Sequence, residues 1–568
     1  MARSGRHAVA EQLAMDGVRH VFGNPGTVEQ GLLDALEEHP EIQYICTLQE
    51  SIAVAMADGY ARGARRPTVV QLHSGVGLGN GIGMMYQAMR GHSPLVVLAG
   101  DAGVRYDAMD AQMAADLVGM ARPVTKWATR VTHPSSVLRV LRRAFKIAMT
   151  APAGPVFVAL PADVLDAANN EPVVPTSFPV TRSAPPKEEI DRAAALLAGA
   201  DRPLIIAGDG VAFSSAQAEL ASVAEILGAP VWGADWAEVN LDQNHPQFRG
   251  MLGHMFGEHS KEITTQADAV LICGTYVFPE VFPSLDGVFA SGAPVVHIDL
   301  DPYQIAKSFP VDVGLVADPA VTLAMLADAL TAVTTPEGRA RAAERVRVMA
   351  EEDAEKRGSE LARDESLREA YPIHAARFAD ELARQLPADA VIFDEALTTS
   401  PDLMRYLPAS RPGGYFQTRG GSLGVGIPGA IGLKLADPSA TVVGFTGDGG
   451  AMYTIQALWT AARYDVDVTF VVCNNSSYEL LKINIEEYWR EQGIPAHGFP
   501  TSFDLSHPQL RFDGLAEAQT VPAARVERPE EIAPTIRKAL SHPGPFLIDL
   551  VIASRVPDLR SVAGAAKA

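Results

Sequence analysis

Along the chain, short apolar runs alternate with stretches in which apolar residues recur at helical spacing. Ala8–Met15 carries the helical pattern, and Val18–Phe22 is an apolar run ending in the turn Gly23-Asn24-Pro25-Gly26-Thr27. Ile42–Leu48 follows, a helix opens near Gln49, and Thr68–Leu72, Pro94–Ala99 and Val156–Leu160 are further runs of strand length. Apolar runs bounded by turn residues predict buried strands. Strands separated by helices predict a parallel sheet covered on both faces.

The same alternation recurs twice. A Pro-rich stretch, Glu171–Pro186, predicts an extended linker. Beyond it, Pro203–Ala207, Ala269–Cys273 and Pro294–Ile298 are strand-like runs of a second α/β unit. Residues 337–370, dense in Arg, Glu and Ala, predict an exposed bridging helix. A third unit opens near Tyr371 with a helix (Ile373–Gln385), a strand (Ala390–Phe393) and a polar turn (Asp394–Thr399). Helix, strand and polar turn also open the first unit, so the chain reads as two copies of one fold with a different insert between them. The expected architecture is α/β, with three doubly wound parallel-sheet domains over 1–170, 187–335 and 371–553.

Composition narrows the function. The 568 residues carry a formal net charge of −21 and no long basic run, which argues against a nucleic-acid partner. The three cysteines, Cys46, Cys273 and Cys473, sit in apolar runs without metal-ligand spacing, so they read as buried core thiols of a cytoplasmic protein. No apolar stretch approaches the roughly 18–20 residues of a membrane span, and the N-terminus lacks a signal-peptide core.

The sharpest chemical signal lies in the third domain. The strand Thr441–Thr446 runs into Gly447-Asp448-Gly449-Gly450, a helix is expected over Tyr453–Tyr464, and the strand Val468–Cys473 ends in Asn474-Asn475-Ser476-Ser477. In one βαβ unit the two strands are parallel, so Asp448 and Asn475 reach the same sheet edge, where open α/β sheets bind ligands. The glycines admit a phosphate close to backbone N–H groups at a helix N-terminus. Asp448 and the Asn475 amide oxygen are hard ligands suited to Mg²⁺, and a backbone carbonyl at Ser477 completes the set.

With 24 residues between Gly449 and Asn474, this stretch resembles the signature of thiamine-diphosphate (ThDP)-dependent enzymes. Within that superfamily the chain resembles the group of benzoylformate decarboxylase, pyruvate decarboxylase and acetolactate synthase. The likeness extends over nearly the whole chain through Phe22–Thr27, Leu48-Gln49-Glu50, Leu72-His73-Ser74-Gly75 and the loop from Tyr415-Phe416 to Gly421-Ser422-Leu423-Gly424. It implies pyrimidine-binding, central and diphosphate-binding domains in that order, with active sites shared between subunits of a homodimer or homotetramer. It also implies ThDP and Mg²⁺ as cofactors.

What the resemblance implies for single residues is specific. Glu50 faces N1′ of the aminopyrimidine and drives proton transfer from thiazolium C2, giving the ylide that attacks a carbonyl. Leu423 is the apolar wedge that bends the cofactor, and Gly421 offers its carbonyl to the 4′-amino group. Thr398 contacts the diphosphate, whereas Leu397 stands where the family has a second hydroxyl. Gly447, Asp448, Gly449, Gly450, Asn475, Ser477 and Tyr478 surround the diphosphate, with Asp448, Asn475 and Ser477 on the metal. His73 is the proton-transfer histidine, and Thr27 bonds a substrate carboxylate or hydroxyl. Leu480 and Leu481 face the substrate.

One departure bears on the substrate. The central-domain stretch Gly274–Pro283 has Val281 where the decarboxylases carry a second histidine. The leading expectation is non-oxidative decarboxylation of an aromatic or branched 2-keto acid, through the ylide and an enamine. The alternative is a carboligase or lyase, similar to 2-hydroxyacyl-CoA lyase or acetolactate synthase, acting on a 2-keto acid or an acyl-CoA. Gly208-Asp209-Gly210 follows a strand without a dinucleotide fingerprint, so FAD is not expected there. The small, polar tail Arg555–Ala568 reads as a mobile lid or a disordered end.

Overall fold

The computed structural model describes residues 3–554 and Val556. The proposed tail segment therefore lies outside the described residues, apart from Val556. The described strands form three six-stranded sheets, and every pairing between neighbouring strands is parallel.

The first sheet comprises β1 (His20–Gly23), β2 (Gln43–Cys46), β3 (Thr68–Leu72), β4 (Leu95–Asp101), β5 (Trp127–Arg130) and β6 (Val156–Pro161), in the order β2-β1-β3-β4-β6-β5. The second comprises β7 (Pro203–Ala207), β8 (Val231–Gly233), β9 (Phe248–Met251), β10 (Ala269–Cys273), β11 (Val295–Asp299) and β12 (Val313–Val316), in the order β12-β11-β10-β7-β8-β9. The third comprises β13 (Val391–Glu395), β14 (Tyr415–Gln417), β15 (Val442–Gly447), β16 (Val468–Asn474), β17 (Ala523–Val526) and β18 (Phe546–Val551), in the order β14-β13-β15-β16-β18-β17. Numbered from its own first strand, the third sheet repeats the order of the first, and the middle sheet has another. The suspected internal duplication is thus visible in the strand order.

Central strands such as β3 (TVVQL) and β4 (LVVLAGD) are buried along their whole length, as a parallel sheet with helices on both faces requires. The covering helices are amphipathic. Val137–Met149 buries Val137, Leu138, Leu141, Ala144, Phe145 and Ala148 and turns its arginines outward. Gly426–Ala436 is apolar on nearly every side because it lies between two domains. It crosses the helix Glu50–Ala64 at glycines: a Cβ on Gly59 would overlap the Gly429 carbonyl oxygen, and one on Gly432 would overlap the Met56 carbonyl oxygen. Through this crossing the first and third domains share one apolar core containing Ile52, Val54, Phe393, Ile427 and Ile431. The middle domain keeps separate cores.

The middle domain is tied to its neighbours by buried ion pairs. Arg419 contacts Asp209 and Asp235, and Arg62 reaches Glu238 Oε1 at 3.4 Å. A cavity of about 560 Å³ lies at this junction, lined in part by Arg90, Asp209, Tyr276, Asp299 and Arg419. Asp209, in the Gly-Asp-Gly turn after β7, accepts the backbone N–H groups of Ala237 (3.0 Å) and Glu238 (3.1 Å).

Two expectations are corrected. The single helix expected over Tyr453–Tyr464 is two, Asp448–Thr454 and Ala457–Arg463. The break lets each half dock separately: Thr454 Oγ1 donates to the Gly424 carbonyl at 2.7 Å, and Thr460 Oγ1 to the Cys46 carbonyl at 3.1 Å. Cys46 is only half-buried, unlike Cys273 and Cys473, although all three are free thiols. The long charged helix spans Pro336–Ser366. No helix among the described residues is long and apolar enough to cross a membrane.

The crossing predicts that Gly59→Ala forces the two helices apart, at a cost of about 1–3 kcal/mol or more, read as a lowered unfolding midpoint. Burial holds the Asp299 carboxyl up at about 7. Its contribution to stability is therefore complete below the ordinary carboxylate range and lost as the pH rises through 7. Asp299→Asn is expected to flatten the pH dependence of thermal unfolding between pH 5 and pH 8 and to gain stability relative to the native chain at pH 8.

Candidate active site

The C-terminal ends of β2, β1, β3 and β4 lie side by side; the first three lead to polar side chains at one edge, and β4 adds a backbone N–H. Glu50 is the first residue of the helix after β2, and Asn24, Thr27 and Glu29 follow β1. His73 follows β3, and Gly100 is in β4. Glu50 is buried; its carboxylate accepts from Asn24 Nδ2 at 3.1 Å and Asn80 Nδ2 at 2.9 Å. His73 Nδ1 meets Glu29 Oε2 at 2.9 Å, while Glu29 Oε1 accepts the Gly100 N–H at 2.7 Å. Burial pushes the Glu29 carboxyl up, against the opposing pull of its bond to His73. With Nδ1 engaged, Nε2 is the nitrogen available to a substrate. The pair lies so close to the turn after β1 that a Cβ on Gly26 would fall on the His73 ring.

The third sheet presents the matching edge. Here β13 and β15 flank the point where strand order reverses, the usual ligand crevice of such sheets. Asp448 follows β15, and Asn475 and Ser477 follow β16. Asp448 Oδ2 and Asn475 Oδ1 both accept the Ser477 N–H, at 3.3 and 3.0 Å, so the two predicted ligands converge. Asn475 Nδ2 donates to Glu479 Oε2 at 3.1 Å, which turns the amide oxygen toward Asp448. Ser477 Oγ donates to the Phe503 carbonyl at 3.3 Å, and the Ser477 backbone carbonyl accepts the Glu479 N–H at 2.9 Å. Tyr478 packs its ring against Gly449.

Thr398 lies in the short turn Leu397–Thr399, and Leu423 is half-buried in the loop after β14. Gly421 has a left-handed φ of 76° and open space where a side chain would stand. Leu480 and Leu481 start the helix Glu479–Glu491, with Leu480 half-buried and Leu481 exposed. Val281 is exposed, and its N–H donates to the His254 carbonyl at 3.0 Å, so a histidine from another segment abuts the stretch that lacks one.

Several residues at these edges escape sequence reasoning. Asn24, Asn80 and Glu29 hold Glu50 and His73. Glu395, at the end of β13, is buried and accepts the N–H groups of Gly424 and Gly426 and the Thr446 hydroxyl. Burial raises its carboxyl to about 7. The only signal in the sequence is an acidic pair, Asp394-Glu395, ending an apolar strand.

The residues fit a metal-bound diphosphate. Burial raises the Asp448 carboxyl to about 6, and no cationic side chain among the described residues forms a salt bridge with it. A desolvated carboxylate beside an oriented amide oxygen suits a hard cation. No cluster of three or more His, Cys, Asp or Glu side chains able to hold a metal occurs among the described residues. A metal held here would take the Asp448 carboxylate and the Asn475 amide oxygen, to which phosphate oxygens would add.

Comparison with known proteins agrees. Family models of thiamine pyrophosphate enzymes match all three domains: the N-terminal TPP binding domain over residues 3–120, the central domain over 190–326 and the C-terminal TPP binding domain over 398–550. The chain belongs to the thiamine pyrophosphate enzyme family and is a ThDP-dependent enzyme of the decarboxylase and acetolactate synthase group. Benzoylformate decarboxylase of Pseudomonas aeruginosa is 30% identical, over 95% of this chain and 97% of that protein. The acetolactate synthase isozyme 3 large subunit of Escherichia coli is 30% identical, over 94% and 92%. The solved structure of a thiamine diphosphate-dependent 4-hydroxybenzoylformate decarboxylase from Rhodococcus jostii superposes with a TM-score of 0.82 at 26% identity, over 97% and 99%.

The contact between Gly26 and His73 predicts that Gly26→Ala displaces the imidazole. The variant is expected to fold, to melt slightly lower, and to lose turnover by about 10-fold or more, measured by melting and steady-state rates.

Proposed function

We propose that this enzyme catalyses Mg²⁺-dependent, non-oxidative decarboxylation of an aromatic or branched 2-keto acid. The observation that carries the reading is the Glu29-held His73, placed on the same sheet edge as Glu50. Bound ThDP supplies an electron sink for the pair released when the carboxylate carbon leaves. The protein's own groups do the rest. Glu50, held by Asn24 and Asn80, presents its carboxyl to the aminopyrimidine and exchanges a proton there. Asp448, Asn475 and the Ser477 carbonyl hold Mg²⁺, with Thr398 and the Gly447–Gly450 segment around the diphosphate. Leu423 would pack against the cofactor, and the Gly421 carbonyl would accept a hydrogen bond from its amino group. His73 Nε2, with Thr27, orients the substrate carboxylate and returns a proton to the product carbon. Leu480 and Leu481 give the substrate side chain an apolar wall.

In this reading the two sheet edges meet across a subunit boundary, as a homodimer or homotetramer would arrange them. The free thiols suit the cytoplasm.

A second reading is carboligation or lysis of a carbon–carbon bond with a 2-keto acid or acyl-CoA. Val281 favours it: with one of the two histidines of the decarboxylases missing, the reacting carbon is protonated less readily and survives to meet a second carbonyl.

Calorimetry with Mg²⁺ present should show uptake of ThDP, and its absence overturns both readings. With benzoylformate and branched 2-keto acids, CO₂ release should accompany aldehyde formation. No CO₂ from any of them defeats the first reading, and product from formyl-CoA plus a ketone supports the second. Glu50→Gln is expected to lower turnover by at least 100-fold while the variant folds and still takes up Mg²⁺; retained activity would refute the assigned role.

A further inference from the structure

We infer that Glu395 is a positioning residue that locks the loop carrying Gly421 and Leu423 to the strand leading into Asp448, so that cofactor bend and metal grip are set by one carboxylate. The inference rests on the cofactor assignment made above and deepens it.

Glu395 ends β13, beside the reversal point of the third sheet, and is 1% exposed. It forms no salt bridge among the described residues. An unpaired buried carboxylate is costly, and an apolar side chain of similar size would be a cheaper core residue. Both of its oxygens are instead hydrogen-bonded. Oε1 accepts the Gly424 N–H. Oε2 accepts the Gly426 N–H at 2.6 Å and the Thr446 hydroxyl at 3.1 Å.

Each donor leads to a cofactor-facing element. Gly424 directly follows Leu423, so its N–H fixes the backbone that aims the wedge. Gly426 starts the helix that crosses Glu50–Ala64. Thr446 stands two residues before Asp448, and a Cβ on Gly450 would lie 3.2 Å from Glu395 Oε1. The carboxylate thus lies between the wedge loop and the diphosphate turn and touches both. Loop residues Gly420 and Gly421 have φ of 71° and 76°, so this segment has no regular structure of its own to hold Leu423 in place. A wedge displaced by about 1 Å can cost on the order of 100-fold in rate.

The test uses the full chain. In the wild type, with and without ThDP and Mg²⁺, hydrogen exchange should protect the Gly424 and Gly426 amides far more than that of Gly421. Equal, fast exchange overturns the inference without any variant. Glu395→Gln keeps the shape but sets an NH₂ against an N–H donor. It should speed exchange at Gly424 and Gly426, lower kcat at least 10-fold with KM changed less than 3-fold, and alter the circular dichroism of bound cofactor. In a double-mutant cycle with Leu423→Ala, the losses should be strongly non-additive. A folded Glu395→Gln variant with kcat within 2-fold of wild type, or additive losses, refutes the proposal. If Glu395→Gln does not fold, Thr446→Val decides: kcat several-fold lower at unchanged KM supports the role, and unchanged kcat refutes it. Failure of the wild type to take up ThDP sinks the cofactor assignment instead, whereas normal uptake and turnover in an unperturbed Glu395→Gln sinks only this inference.

Discussion

Parallel pairing of strands is the constraint on which the site depends. Antiparallel neighbours would send successive strand ends to opposite edges. Parallel neighbours send them all to one, so residues distant in sequence arrive together without long-range design. Glu50, Asn24, Thr27, Glu29 and His73 gather this way on the first sheet, and Asp448, Asn475 and Glu395 on the third. Because the third sheet repeats the strand order of the first, duplication of one fold provided two such edges. One edge carries Glu50 and the Glu29–His73 pair, and the other carries Asp448 and Asn475.

Each domain also buries a carboxylate just after, or at the end of, its first strand. Glu29 takes the Gly100 N–H, Asp209 takes those of Ala237 and Glu238, and Glu395 takes those of Gly424 and Gly426. An acceptor with two oxygens satisfies more than one donor near a strand end: two backbone N–H groups for Asp209 and Glu395, and one plus the His73 ring for Glu29. In the middle domain the same device serves architecture, since Asp209 also pairs with Arg419, next to the wedge loop. The Gly-Asp-Gly turn there and the one at Gly447–Gly449 look alike as sequence, yet the first engages its carboxylate with backbone and arginine, whereas Asp448 accepts only backbone N–H groups among the described contacts.

Much of this was legible in the sequence. Three α/β units, the linker, the charged helix and the Asp448–Asn475 pairing follow from periodicity and turn chemistry, because a fully buried parallel strand leaves an unmistakable apolar run. The resemblance supplied Glu50, His73 and Leu423. The supporting residues were not legible. Glu29 reads as one polar residue among many in a helical stretch, and only folding shows that it lies under His73. Asn80 is a polar residue in a Gly-rich helix, and its partner is thirty positions away. The break after Thr454 was missed because helical spacing continues through it; tertiary docking, not local propensity, divides the two halves.

The glycine crossing between Glu50–Ala64 and Gly426–Ala436 has a consequence for how the gene can be cut and recombined. The outer two domains own a common interior, so neither is a self-sufficient module, and a chimaera joining one of them to a foreign counterpart would mismatch two backbones in van der Waals contact. The middle domain has cores of its own, yet it too is bound in, through Arg62–Glu238, Arg419–Asp209 and Val239 in the third domain's core. The two flanking halves must therefore change together.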